Sequence, residues 1–454
     1  MVSAEDWLPF LSDERIGGAL RNGPGSDAGS LPPDGKSADG RDRLRTTGRP
    51  RSEFHKDYDR IIFSSAFRRL SDKTQVVPLP DSDYTRRRLT HSLEVSCVGR
   101  SLATEVFCAA GEVLPASISQ GEVEAIVASA CLAHDIGNPP FGHFGERAIQ
   151  DWAANWFGEQ GGAELTPAER EDLSRFEGNA QSFRVLTRLQ MKNRDGGMRL
   201  TAATLGALIK YPRPSLVEPP SLYKKHGCFQ DDRDLFRQVF GACGRLPNAA
   251  GEYARHPLAW LAEAADDICY AVVDLEDGCK AGLVDLQSAT RILDEIGQPR
   301  RRESHLPIED RLAMGRALAI NQLVMQASEI YLNHLDEILA GQFQGALIGH
   351  CPAAELVEEA KRVAFERVYC SQRVLELEAA GYRAIHGLLD MIVPAVLAER
   401  RSAFHQHLLR LTGLRLTGEM STYQKILLCT DYVSGMTDRF CVEHFRRLSG
   451  HGIS

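Results

Sequence analysis

The stretch Cys131–Ile149, CLAHDIGNPPFGHFGERAI, places an adjacent His134 and Asp135 at the end of an apolar run and follows them with His143 and Glu146. Upstream, Val123, Ile126, Val127, Ala130 and Cys131 recur at helical spacing, and the next position on that face is His134. An imidazole thus occupies a slot that the pattern gives to apolar side chains. With 14 histidines in 454 residues a His-Asp dipeptide arises by chance about once, so its surroundings must carry the argument. An isolated buried histidine is more often hydrogen-bonded to a carbonyl than bound to a ligand. Asp135 changes that balance, because a carboxylate leaving the same buried helix end must be paired or coordinated. Gly137, Asn138, Pro139 and Pro140 then stop the helix, and a second begins near Gly142 with His143 and Glu146 one turn apart. This is the layout of a buried metal site with an acid and a base alongside.

Two further ligands are offered elsewhere. Arg86–Ala103 reads as a helix with Leu89, Leu93, Cys97 and Leu102 near one face and His91 at its beginning. In Leu261–Gly278, Asp266, Tyr270 and Asp274 follow at four-residue steps, a polar stripe amid Ala, Ile and Val. Asp267, Glu276 and Asp277 on the same helix read as a solvated face. Two imidazoles and two carboxylates make a mixed nitrogen and oxygen set without thiolate, suited to a divalent ion of the Mn, Fe, Co, Ni, Zn or Mg group. Such an ion polarises a phosphoryl oxygen and lowers the pKa of bound water, so hydrolysis of a phosphate ester or anhydride follows.

The series His91, His134 with Asp135, and a distant Asp266 resembles the signature of HD-superfamily phosphohydrolases. Further blocks narrow the resemblance: RDRLRTTGRPRSEFHKDYDRIIFSSAFRRLSDKTQVVP (41–78), TRRRLTHSLEVSCVGR (85–100), RFEGNAQSFRVLTRLQ (175–190), LIKYP (208–212) and DYVSGMTD (431–438) are similar to bacterial deoxyguanosine triphosphate triphosphohydrolases and their deoxynucleotide triphosphohydrolase relatives. The resemblance implies cleavage of a deoxynucleoside triphosphate at the α-phosphorus, giving the deoxynucleoside and inorganic tripolyphosphate. It implies one divalent metal ion, Mn²⁺ or Mg²⁺ first, on His91, His134, Asp135 and Asp266. Asp267 competes for the fourth place, but Tyr270 and Asp274 set the register that favours Asp266. His143 matches the histidine that protonates the leaving 5′ oxygen, help worth roughly a hundred- to ten-thousand-fold, and Glu146 its acidic partner. Gln75 and Asp274 match residues holding the 3′ hydroxyl, and Tyr270 the aromatic under the sugar that leaves no room for a 2′ hydroxyl. Arg88 matches a phosphate-contacting arginine, with Lys210 and Tyr211 toward the distal phosphates. Asn179 and Gln181 fit capping and cross-helix bonding as well as substrate contact.

The resemblance also brings homo-oligomers, with Arg446 or Arg447 as candidates to complete a pocket, and in some members a nucleotide activator or a single-stranded DNA regulator. Two other readings stay open: an HD phosphohydrolase for a nucleoside monophosphate or alarmone, and a nucleotide-sensing or DNA-binding module with a structural metal.

Composition agrees with a large globular enzyme: 43% of residues are hydrophobic, and the formal net charge of −8 argues against broad nucleic-acid coating. No apolar run reaches membrane-spanning length, and MVSAEDWLPFL lacks a basic region followed by an apolar one, so no membrane association and a cytoplasmic location are expected. The 11 cysteines lack any CxxC, and Cys131, Cys269, Cys370 and Cys429 read as reduced core residues. Helical pattern dominates, and period-two alternation is almost absent, so the fold class expected is all-α. Residues 1–48, rich in Gly, Pro, Ser and Asp over 22–42, read as a flexible segment, 49–300 as the HD catalytic core, and 301–454 as a carboxy-terminal helical region. Pro-containing loops are expected around Tyr211–Pro220, beside the active site, and Gln298–Pro307.

Overall fold

The computed structural model describes residues 3–17, 51–76, 86–109, 114–160, 162, 164–191, 196–217, 219, 221–298 and 307–451. Among these residues every regular element is helical, and β pairing is limited to isolated bridges such as Arg15 with Thr201. The all-α expectation holds. The flexible stretch expected over 22–42 and most of the Gln298–Pro307 loop lie outside the described residues. Residues 3–17, expected to be flexible as part of 1–48, are packed instead: Trp7, Phe10, Leu11 and Ile16 are buried, and the Trp7 ring meets Phe107 edge-on at 5.3 Å.

Two helices frame the histidines: α1 (Arg88–Ala109) and α2 (Gln120–Ala133). A capping box starts α2, the Ser119 N–H and hydroxyl both donating to Glu122 Oε2 at 2.8 and 2.9 Å. From Ala125 to Ala133 every residue of α2 is buried. Gly99 lets α1 and α2 approach, since a Cβ there would stand 2.5 Å from Cys131 Sγ. The face of α1 turned inward is that of His91, Val95, Val98 and Leu102, whereas Leu93 and Cys97 are exposed. The apolar face read from sequence was therefore rotated, because Ser92, Ser96 and Gly99 rather than Leu93 and Cys97 fill the tight helix contact.

After the turn come α3 (Gly142–Gln160) and α4 (Gly178–Arg184). Then α5 (Ala259–Lys280) runs beside α1 and carries the acidic stripe. α6 (Ile308–Asn333) packs on α1, and α7 (Ala354–Ala364) on α5. α8 (Gln372–Leu397), α9 (Thr422–Ser434) and α10 (Asp438–Leu448) close the chain. Two apolar cores result. One joins α1, α2 and α5 with α6 and α7, and includes Phe236, Phe240 and Trp260; the other joins α3 with α8, α9 and α10. Both run across residue 300.

Glu276 and Asp277 are buried rather than solvated, gripped by Arg86, with Arg316 also reaching Glu276 at 2.8 Å. Asp267 is half-buried and pairs with Lys361 at 3.2 Å. Of the cysteines read as core, Cys370 is exposed.

Asp172, buried in the second core, accepts from the Gln230 N–H at 2.7 Å, the Tyr423 hydroxyl at 2.5 Å and Ser215. Burial outweighs these bonds and pushes its pKa up to about 7. A carboxyl raised above its unfolded value favours folding while protonated, so its contribution is lost as pH rises from about 4 to about 7. Denaturant titrations should show up to about 4 kcal/mol falling away over that window, and the slope should flatten in Asp172→Asn.

Candidate active site

Elements distant in sequence bring the predicted metal ligands together. At the end of α2 the His134 ring places Nδ1 2.7 Å from the Cys131 carbonyl, so the ring N–H is donated there and Nε2 is free to accept. Asp266 Oδ1, from α5, lies 3.5 Å from that Nε2 and 3.1 Å from His91 Nε2, from the first turn of α1. Asp135 Oδ2 is 3.4 Å from His134 Nε2. One donor atom each of His91, His134 and Asp135 falls within 4.8 Å of the others.

Charge at this point fits a cation. Burial opposes a proton on His134, yet Asp135 and Asp266 outweigh it and push the pKa up to about 9. Burial is likewise overcome at Asp135, held well below the carboxylate range by Arg88 and His134, and at Asp266, held low by His134 and His91. The carboxylates thus create a site that a proton on His134 neutralises, and that a divalent ion held by these residues would neutralise in its place. Two imidazole nitrogens with carboxylate oxygens suit such an ion.

The turn after Asp135 is built for close approach. Asn138 Nδ2 donates to Asp135 Oδ1 at 2.5 Å. Phe141 and Gly142 both take positive φ, 62° and 56°, and a Cβ on Gly142 would stand 2.6 Å from Arg88 Nη2. Arg88, buried and ion-paired with Asp135, therefore spans the space between the ligand cluster and the start of α3. None of the Arg86–Arg88 run is a free solvated charge: Arg87 pairs with Asp72, and Arg86 with Glu94, Glu276 and Asp277.

One residue further, His143 Nδ1 sits 2.8 Å from Glu146 Oε2. The imidazole is exposed while Glu146 is buried and accepts the Gly178 N–H at 2.7 Å. The hydrogen bond and charge of Glu146 raise the His143 pKa, against the cations Lys225 and Arg88. Gly178 is required by space, since its Cβ would lie 2.1 Å from Asn138 Oδ1 and 2.6 Å from Glu146 Oε1. The two halves of the site thus meet at α4.

Along α5, Asp274 Oδ2 accepts the Tyr369 hydroxyl at 2.6 Å, and the Tyr270 ring stacks on Tyr369 with centroids 6.2 Å apart. Among the described residues Asp274 Oδ1 and Gln75 Oε1 are buried without a partner, as acceptors awaiting a donor would be. Burial holds the Asp274 carboxyl well above its ordinary pKa. Lys210 pairs with Glu263 at 3.2 Å and lies over the Tyr211 ring at 5.8 Å. Asn179 bonds Glu177 and Gln181 bonds Asp431, the capping and cross-helix roles. Arg446 and Arg447 are exposed on α10, and Arg447 pairs with Glu443 at 3.2 Å.

Several residues escaped the sequence reading. Lys225 lies 3.9 Å from Glu146 and 3.0 Å from Glu177, behind the His143 dyad. Asp438, the first residue of α10, accepts the Phe141 N–H at 3.0 Å and the Thr74 N–H at 2.8 Å. Lys73 donates to the Asn138 carbonyl and, at 2.8 Å, to that of Ser434. The carboxy-terminal helices therefore clamp the active-site turn and the strand of chain entering Gln75. The only signal for this was the DYVSGMTD block, whose role had no spacing to reveal it.

The HD domain family matches residues 88–188, and the phosphohydrolase-associated domain matches residues 351–447. A deoxyguanosinetriphosphate triphosphohydrolase-like protein of Pseudomonas aeruginosa is 39% identical over 98% of this chain and 99% of its own length. A protein of the same description from Synechocystis sp. is 39% identical, covering 90% of this chain and 97% of the relative. A deoxyguanosinetriphosphate triphosphohydrolase of Salmonella paratyphi A is 32% identical, covering 87% and 93%. With a helical HD core, a His-His-Asp cluster and full-length similarity to these proteins, this chain is a phosphohydrolase that belongs to the deoxyguanosinetriphosphate triphosphohydrolase-like family.

Proposed function

We propose that the protein hydrolyses deoxynucleoside triphosphates, dGTP among them, at the α-phosphorus, releasing the deoxynucleoside and intact tripolyphosphate. The observation that carries this reading is the convergence of His91, His134, Asp135 and Asp266 beside the His143–Glu146 pair. Held by those four residues, a divalent ion, Mn²⁺ or Mg²⁺, supplies Lewis acidity and water of lowered pKa. As water oxygen bonds to the α-phosphorus and the bond to the 5′ oxygen breaks, His143 gives its proton to that oxygen, and Glu146 keeps the imidazole charged and oriented. Arg88, Lys210 and Tyr211 receive the phosphates, where positioning and fixed positive charge supply most of the catalysis. Gln75 and Asp274, with their unpaired acceptors, hold the 3′ hydroxyl over Tyr270. A site that buries such acceptors discriminates strongly against a sugar lacking the hydroxyl.

Among the described residues no helix is long and apolar enough to cross a membrane, which accords with a cytoplasmic nucleotide enzyme. Homo-oligomerisation and control by a nucleotide or single-stranded DNA belong to the same proposal. The test is incubation of full-length protein plus Mn²⁺ or Mg²⁺ with each deoxynucleoside triphosphate and GTP, alone and mixed, followed by anion-exchange separation. Tripolyphosphate and deoxynucleoside support the reading. Orthophosphate or pyrophosphate in place of tripolyphosphate, or no turnover with any mixture, overturns it.

A further inference from the structure

Behind the turn that follows Asp135, a cavity of about 530 Å³ opens against the carboxy-terminal helices. Its size falls within the range of small-molecule sites, about 300–1,000 Å³. Ile136, Val185, Leu414, Leu428, Met436 and Phe440 give it an apolar wall. Arg69 also lines it, and Gly435 makes room: a Cβ there would stand 3.0 Å from Arg69 Nη1.

Arg69 is the anomaly. Among the described residues it has no hydrogen-bond acceptor and no ion-pair partner, and its Nε is buried without one. Burial is the sole influence on its pKa, which it lowers. The acid on the same wall, Asp431, is already engaged, accepting from Arg184 Nε at 2.9 Å and from Gln181 at 2.9 Å. Lys73 is close enough that, after burial, the Arg69 charge is the next largest influence holding its pKa down. The Arg69 charge is therefore uncompensated by any described side chain, and a partly desolvated cation is tolerated when an anion pairs with it. A guanidinium offers such an anion a planar fork of donors.

We propose that this cavity binds a small organic anion, a phosphate, sulfonate or carboxylate on an apolar or aromatic body, with the anionic group on Arg69 and the body among Leu414, Leu428, Met436 and Phe440. The site is separate from the proposed substrate pocket and shares no residue with it.

The probe is 1-naphthalenesulfonate, titrated calorimetrically into full-length Mn²⁺-loaded protein, with neutral 1-naphthylmethanol as the control. One saturable site is expected for the sulfonate, weakened at least tenfold in Arg69→Gln, partly restored in Arg69→Lys, and matched by no comparable binding of the alcohol. Leu414→Trp, which adds bulk to the apolar wall and keeps Arg69 itself, should also weaken binding at least tenfold. Circular dichroism melting checks each variant, and if Arg69→Gln does not fold, Leu414→Trp decides alone. Absence of binding, or equal binding in wild type and the folded variants, overturns the proposal. A change of molar mass in light scattering on Arg69→Gln, with no sulfonate binding, would overturn it too and assign Arg69 to a carboxylate of a second subunit.

Discussion

Asp266→Ala should lower kcat/KM for deoxynucleoside triphosphate hydrolysis by at least about a thousandfold and strip the bound metal. Asp266 Oδ1 is the atom shared between the two histidines, 3.1 Å from one and 3.5 Å from the other. Its loss removes a charged ligand and leaves His91 without the group that faces it. A metal ion contributes several kcal/mol of charge stabilisation, and about 1.4 kcal/mol is tenfold in rate. Elemental analysis of the purified variant and tripolyphosphate assays at saturating metal check the two halves of the expectation. Asp267→Ala is the matched control, since that carboxylate turns to Lys361 at 3.2 Å. Retained metal and turnover in Asp266→Ala, or their loss only in Asp267→Ala, would show the ligand register to be wrong.

His143→Ala should cost roughly a hundred- to ten-thousand-fold in kcat, the range for a positioned general acid, with KM changed far less. The pH profile carries the sharper signature. Glu146 raises the His143 pKa, so the acid form persists to higher pH than a free histidine allows, and kcat/KM falls as pH rises through that raised value. Glu146→Gln keeps a bonding partner but removes the charge that raises the pKa, so the alkaline limb should move to lower pH. An unchanged kcat in His143→Ala, or an alkaline limb unmoved in Glu146→Gln, would remove the dyad from the chemistry.

What could be read in the sequence was what local geometry dictates. His134 continues the buried face of α2, His143 and Glu146 are one helical turn apart, and Asp266, Tyr270 and Asp274 share a stripe, so each was visible from spacing. Glu276 and Asp277 were misread as solvated because their partner Arg86 lies 190 and 191 residues earlier in the chain, where no local pattern can point. Lys225, Tyr369 and Asp438 stayed hidden for the same reason: each reaches the site from a loop or helix end through bonds to residues distant in the sequence. The amino-terminal residues 3–17 were obscured differently, since a Gly- and Pro-rich stretch close behind them masked the buried Trp7, Phe10 and Ile16.

The clamp from the last two helices has a consequence for biosynthesis. The Phe141 N–H and the Lys73 side chain find their acceptors on Asp438 and Ser434, 297 and 361 residues further along the chain and so made long after them. While the chain is being made, the metal-ligand helices can pack, but the turn that carries His143 has nothing to close it. A chain cut before Ser434 therefore leaves the turn that carries His143 without the groups that close it.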